Sequence, residues 1–150
     1  MSDDLTKRIS KSIFDTDLIA TRIMLGIAEG LWAIMLWWPG DTFGRPTYAH
    51  MARVMSEDGW GLVFALSAAT QLHIVFSGQF HRSYARLFAG WNAVLWSYVV
   101  GSMLLSVYPP PAAIAGEIAL TISAIWIWVK PAILFHFYRQ AYVESRKAEL

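Results

Sequence analysis

The stretch LIATRIMLGIAEGLWAIMLWW, residues 18–38, is apolar along nearly its whole length and carries only one guanidinium and one carboxylate. An α-helix needs about 20 such residues to cross a hydrocarbon layer of about 30 Å. Three more stretches of similar length and character follow, at residues 59–80, 84–107 and 112–135. We therefore predict an all-α polytopic membrane protein, a four-helix transmembrane bundle that forms one domain.

The composition agrees with this prediction. Hydrophobic residues make up 56% of the chain and charged residues 15%, whereas soluble domains usually carry about 25% charged residues. The chain has no cysteine, which excludes disulfides, thiol catalysis and cysteine-held zinc or iron–sulfur sites. A net charge of +1 gives no general attraction to nucleic acid.

The segments outside the spans carry local signals. Residues 1–17 have apolar residues at helical spacing opposite basic ones, which predicts a separate amphipathic helix on the membrane surface. Helix 1 is then expected to start at Asp15–Asp17. In the loop at residues 40–58, Pro46 predicts the start of a short surface helix, and Ser56 is expected to cap helix 2.

Basic residues predict the orientation of the chain. Only Arg45 and Arg53 lie on the side of the long loop. Nine basic residues flank the side that holds both termini: Lys7, Arg8, Lys11, Arg22, Arg82, Arg86, Arg139, Arg146 and Lys147. The positive-inside rule therefore places both termini in the cytoplasm and residues 40–58 in the periplasm of a bacterial inner membrane. Residues 139–150 are then a cytoplasmic tail, and Pro131 is expected to kink or end helix 4.

Polar side chains inside the spans are the first candidates for a functional site. Glu29, Gln71, His73, Asn92 and Lys130 come from all four helices and fall within the half of the bundle nearer the termini or close to its middle. They are expected to form one buried cluster. Such a cluster can be interhelical hydrogen bonding alone, or a proton- or ion-handling site with Glu29 as the ionisable centre and His73 as relay.

Small residues predict where helices approach each other. Gly26 and Gly30 form a GxxxG pattern, which lets two helices in a membrane come close together. The pattern does not distinguish packing within one subunit from packing between copies.

No cofactor or metal is expected. A membrane haem commonly takes two histidines from different helices, but His73 and His136 differ in depth, and His73 and His81 share a helix. The chain has no HExxH motif, Gly-rich phosphate loop or Ser/His/Asp grouping. We therefore expect no enzyme activity.

The long loop is a candidate surface for a partner protein. Its residues include several types that anchor interfaces, namely Phe43, Arg45, Tyr48, His50 and Arg53. The alternative is that the loop only covers the end of the bundle.

The loop and the start of helix 2 also carry a family resemblance. WWPGDTFGRPTYAHMARVMSEDGWGLVFALSAATQL, residues 37–72, resembles small membrane proteins of bacteriophages and prophages, through PGDTFGRPTYAHMA and the acidic-Trp-Gly start of helix 2. The resemblance covers about a quarter of the chain. It implies a bacterial inner membrane and a role in lysis, superinfection exclusion or remodelling of the host membrane.

Three functions are consistent with these features. The first is a non-enzymatic scaffold that associates with itself or with another membrane protein through the loop. The second is a holin-like pore, although no helix carries the polar stripe that a pore needs. The third is a proton-coupled or ion-conducting protein built on the intramembrane cluster, although the two halves show no repeat of the kind common in transporters.

Overall fold

The computed structural model describes residues 2–79, 83–108, 111–112 and 114–148. These ranges form helices only and contain no strand. The helices are α1 (Ser2–Trp37), α2 (Ala49–Val54), α3 (Glu57–Phe76), α4 (Ser83–Ser106) and α5 (Ile114–Ala148), with a 3-10 turn at Pro46–Tyr48. The all-α prediction is confirmed.

Four segments are long and apolar enough to cross a membrane: Thr16–Trp37 of α1, Glu57–Phe76, Ser83–Ser106 and Ile114–Pro131 of α5. This confirms the four predicted spans. With four crossings, the start of the α1 span and the end of the α5 span lie on one face of the bundle, here named the termini side, and residues 40–58 lie on the opposite face, named the loop side. The turn around Arg82, which joins α3 to α4, lies outside the described residues.

Two helices extend further than expected. Helix α1 runs without a break from Ser2 to Trp37, so the predicted separate surface helix and helix start at Asp15–Asp17 are wrong. The preceding residues contain neither proline nor glycine, so nothing in them interrupts the helical hydrogen bonds. Helix α5 continues through Pro131 to Ala148, because a proline removes one backbone hydrogen bond without necessarily ending a helix.

The loop folds back onto the end of the bundle. The Ser56 hydroxyl accepts a hydrogen bond from the Gly59 amide at 3.2 Å, which is the cap that the sequence predicts for α3. The Trp60 indole donates to the Met51 carbonyl at 3.0 Å. Because Met51 is also fully buried, α2 is held against the bundle by both hydrogen bonding and packing.

The spans are arranged as two tight pairs, α1 with α3 and α4 with α5. In the first pair, a Cβ atom on Gly26 would lie 3.3 Å from the Leu72 side chain, and one on Gly30 would lie 3.9 Å from Ala68. The GxxxG pattern therefore lies at a helix contact within one subunit. In the second pair, a Cβ on Gly90 would meet the Trp128 indole at 3.0 Å.

Larger side chains fill the space between the two pairs. Trp32 and Phe64 come from the first pair and Trp96 from the second, and their ring centroids lie 5.2–6.0 Å apart. Nearer the loop side, Trp60 stacks on Tyr98 with centroids 5.4 Å apart. The bundle therefore has a central seam, defined as the interface between the α1–α3 pair and the α4–α5 pair.

The close approach of α1 and α3 gives a stability prediction. We expect Gly26→Val to lower the free energy of unfolding by about 1–3 kcal/mol, because the added methyl groups overpack the contact with Leu72. The same change at Gly116, where a Cβ meets no atom within 4 Å, is the matched control. Unfolding in mixed micelles by increasing SDS would measure the stability of both variants. Equal losses would contradict the assignment of Gly26 to a close contact between α1 and α3.

Candidate functional site

Four polar side chains are buried in the seam on the termini side of its aromatic rings. Glu29, Gln71 and Asn92 are each 0% exposed, and Arg22 is 2% exposed. They come from α1, α3 and α4 and are named here the polar centre. Three of them were expected in a buried cluster, whereas Arg22 was expected only among the basic residues that flank the membrane.

Arg22 connects three helices. Its guanidinium donates to the Gln71 Oε1 at 2.7 Å and to the backbone carbonyl of Ala85 at 3.0 Å. The buried face of α1 explains this position, because Leu18, Arg22, Leu25 and Glu29 recur at three- and four-residue spacing and are all buried. This helical spacing between Arg22 and Glu29 was the signal in the sequence that could have shown that Arg22 lies on the same buried face as Glu29.

Glu29 lies near the middle of the α1 span. Its Oε1 accepts a hydrogen bond from the Trp96 indole at 3.2 Å, and Trp96 is itself fully buried. Seven residues separate Glu29 from Arg22, which corresponds to about 10 Å along the helix. The centre therefore combines a permanent cation and an ionisable carboxyl on one face of α1.

Several atoms of the polar centre have no hydrogen-bond partner among the described residues. They are Nε of Arg22, Oε2 of Glu29, Nε2 of Gln71 and both amide atoms of Asn92. Buried polar atoms in proteins are nearly always paired, and the cost of leaving one unpaired is higher in a hydrocarbon layer. The centre therefore holds donors and acceptors that can bind a further polar species.

His73 does not belong to this centre, which corrects the expectation from the sequence. Its side chain is exposed, whereas Gln71 and Ile74 of the same helix are buried. Two residues of an α-helix correspond to a rotation of about 200°, so His73 points away from the seam when Gln71 points into it. It cannot act as the expected relay to Glu29 in this arrangement.

Lys130 is buried but forms a different contact. Its ammonium pairs with the carboxylate of Asp17 and lies 5.6 Å from the ring centroid of Trp126. The Trp126 indole also donates to Asp17 at 3.3 Å. These contacts join α1 to α5 at the termini end of the spans. They do not involve the residues of the polar centre.

Aromatic rings close the seam on the loop side of Glu29. Trp32 follows Glu29 on α1 and packs edge-on against Trp96, with centroids 6.0 Å apart. Phe64 packs on both rings at 5.2 Å and 5.5 Å. The polar atoms of Arg22 and Gln71 lie in the opposite direction, toward the termini side, whereas on the loop side the Trp32 indole hydrogen-bonds with the Glu117 carboxyl.

The loop residues expected to bind a partner divide into two groups. Phe43 and Tyr48 stack on each other at 6.1 Å and pack against the core, and the His50 Nδ1 lies 2.9 Å from the Ser106 hydroxyl. Only Arg45 and Arg53 are exposed. The aromatic residues and His50 thus contact their own bundle, because burying their rings is favourable.

The packing of the loop on the bundle also affects the ionisation of the Tyr48 phenol. Burial and the nearby carboxyl of Glu117 raise the pKa of the Tyr48 phenol, although Arg45 acts in the opposite direction. Glu117 itself is partly buried, and its Oε2 has no hydrogen-bond partner among the described residues. The Tyr48 phenol therefore stays uncharged to a higher pH than an exposed tyrosine does.

The described residues contain no group of three histidine or acidic side chains that could hold a metal ion. No protein-family model, curated protein or solved structure matches the chain. The architecture defines the class: a multi-pass helical membrane protein with four candidate spans and a buried polar centre.

The bond between Arg22 and Gln71 gives a second prediction. We expect Arg22→Met and Gln71→Met each to destabilise the protein, because each leaves the other polar group buried and unpaired. The double variant should lose about 1–2 kcal/mol less than the sum of the single losses. Unfolding in mixed micelles by increasing SDS measures all three variants.

A control pair tests whether this coupling is specific. In the part of the chain that the structure describes, the Ser123 hydroxyl donates to the Ala119 carbonyl of its own helix, so Arg22→Met and Ser123→Ala should be additive. Additive losses for Arg22→Met and Gln71→Met, to within about 0.5 kcal/mol, would show that their hydrogen bond does not stabilise the fold.

Proposed function

We propose that this chain is an integral membrane protein that carries protons across the membrane, with Glu29 as the group that binds and releases the proton. The observation that supports this most strongly is the setting of Glu29. It is a fully buried carboxyl near mid-span, with one oxygen bonded to Trp96 and the other without a hydrogen-bond partner among the described residues. Ionisable groups inside a membrane are costly and commonly mark proton or ion pathways.

The asymmetry of the seam supports a gated route. Asn92, Gln71 and Arg22 supply polar atoms between Glu29 and the termini side, and the rings of Trp32 and Phe64 cover the loop side. A proton would enter from the termini side and reach Glu29. Its release on the loop side requires the rings to move, so the protein would transfer protons slowly and would not form an open channel.

A self-associating scaffold is the second candidate. It has less support because Gly26 and Gly30 face α3 of the same subunit, and because Phe43, Tyr48 and His50 pack on their own bundle. The exposed Arg45 and Arg53 are the loop residues that favour it.

A holin-like pore has the least support. The buried polar side chains of the centre are surrounded by packed apolar and aromatic residues, whereas a pore needs a continuous polar surface along the helices.

The cellular setting is proposed from the sequence. The basic residues favour cytoplasmic termini in a bacterial inner membrane, and residues 37–72 resemble proteins of bacteriophages and prophages. A phage-encoded protein that dissipates or regulates the proton gradient of its host would combine this setting with the polar centre.

Proton transfer can be measured in proteoliposomes that contain a pH-sensitive dye, with a potassium gradient and valinomycin to impose a membrane potential. We expect the pH of the lumen to change faster in vesicles that contain the native protein than in protein-free vesicles, with the direction set by the imposed potential. We expect Glu29→Gln to reduce the rate to that background, because an amide cannot exchange a proton. Asp58→Asn, at an exposed carboxylate on the loop side, should leave the rate unchanged.

Two results would reject proton transfer by Glu29. One is a rate for the native protein no faster than for empty vesicles. The other is an unchanged rate in a Glu29→Gln variant that retains the native melting temperature. Release of an entrapped dye such as calcein would instead indicate an open pore.

Orientation has its own test, since the chain contains no cysteine. Gly40→Cys introduces a thiol on the loop side and Ser83→Cys on the termini side, both at exposed positions. In bacterial cells with a permeabilised outer membrane, a membrane-impermeant maleimide should label only Gly40→Cys. Ser83→Cys should be labelled after lysis, and the reverse pattern would place the termini in the periplasm.

A further inference from the structure

A groove of about 450 Å³ runs along the outside of α4 near the loop side. Its floor is formed by Ser97, Gly101 and Leu105, which recur every four residues and therefore lie in one row along the helix. A Cβ atom on Gly101 would meet nothing within 4 Å, so the glycine leaves this part of the groove open. The volume falls within the ~300–1,000 Å³ typical of sites for small molecules.

The loop-side end of the groove is positively charged. Arg53 of α2 lines this end and is exposed. His50 lines it as well, with its Nδ1 held 2.9 Å from Ser106. No carboxylate is among the described residues that line the groove, so its charged end presents a guanidinium with an imidazole beside it.

The position of the groove matches one leaflet of a bilayer. From Ser97 to Leu105 the helix rises about 12 Å, and one leaflet contributes about half of a hydrocarbon layer of about 30 Å. Ser106 ends the span on the loop side, so Arg53 and His50 lie at the level of the lipid headgroups. Leu105 is 74% exposed, which leaves the groove open to the lipid.

We propose that this groove binds one anionic phospholipid of the loop-side leaflet. The phosphate of its headgroup contacts Arg53 and His50, and one acyl chain lies along Ser97, Gly101 and Leu105. The charge at the end of the groove selects an anionic headgroup. The row at leaflet depth combines the small residues Ser97 and Gly101 with the exposed Leu105, which leaves room for a hydrocarbon chain. The site is separate from the polar centre and does not depend on its function.

The test is a titration of the delipidated protein in detergent with phosphatidylglycerol or phosphatidylcholine, followed by native mass spectrometry. We expect one phosphatidylglycerol to bind about tenfold more tightly than phosphatidylcholine. Gly101→Leu should weaken both lipids by about tenfold, because the new side chain occupies the groove. Gly116→Leu is the matched control, since its Cβ also meets nothing within 4 Å, and it should bind as the native protein does.

A second variant tests the headgroup contact. Arg53→Gln should remove the preference for phosphatidylglycerol and leave phosphatidylcholine binding unchanged. The proposal is wrong if Gly101→Leu binds phosphatidylglycerol as tightly as Gly116→Leu does, or if the native protein binds both lipids equally. The proposal would also be wrong if Gly101→Leu broke up an oligomer of the protein and left lipid binding unchanged, because the groove would then hold a second copy of the chain.

Discussion

A hydrocarbon layer offers no hydrogen-bond partners to a peptide backbone, so each span must satisfy its own N–H and C=O groups. The four apolar helices meet this constraint through their internal hydrogen bonds. Lipid also gives apolar side chains little reason to leave it, so helix association depends on close packing and on polar contacts. In this chain the closest helix packing lies within each of the two helix pairs. Among the described residues, most of the polar contacts between helices link one pair to the other.

The division of roles between the pairs and the seam has a physical basis. Small residues such as Gly26 and Gly90 let the helices of each pair come close together. Arg22 and Gln71 bond to each other within the first pair, and Arg22 also reaches across the seam to the Ala85 carbonyl of α4. Trp96 of α4 fills the seam beside Glu29 and donates to its carboxyl. A buried guanidinium can persist at this position because Gln71 and the Ala85 carbonyl accept two of its hydrogen bonds.

This arrangement also relates the two proposed sites to each other. The polar centre is enclosed by the bundle, so its charged and amide groups are shielded from lipid. The groove beside Arg53 and Gly101 faces the lipid and lies close to Tyr98, whose hydroxyl donates to the His50 carbonyl at 3.4 Å. Tyr98 stacks on Trp60, so lipid bound in the groove would contact the aromatic layer that covers the loop side of Glu29.

The helical class, the four helices of spanning length and the cap at Ser56 could be predicted from the sequence, because apolar length and capping chemistry are local properties of the chain. The sequence also identified Glu29, Gln71 and Asn92 as buried polar residues, because such side chains are unusual inside an apolar span. It placed His73 wrongly, since depth along a helix does not specify which face a residue occupies. Three features emerged from the packing of the bundle alone: Arg22 faces the seam, Lys130 pairs with Asp17, and the loop aromatics cover their own bundle. These outcomes depend on the rotation of each helix about its axis and on which helices become neighbours, and both are set by packing between segments distant in sequence.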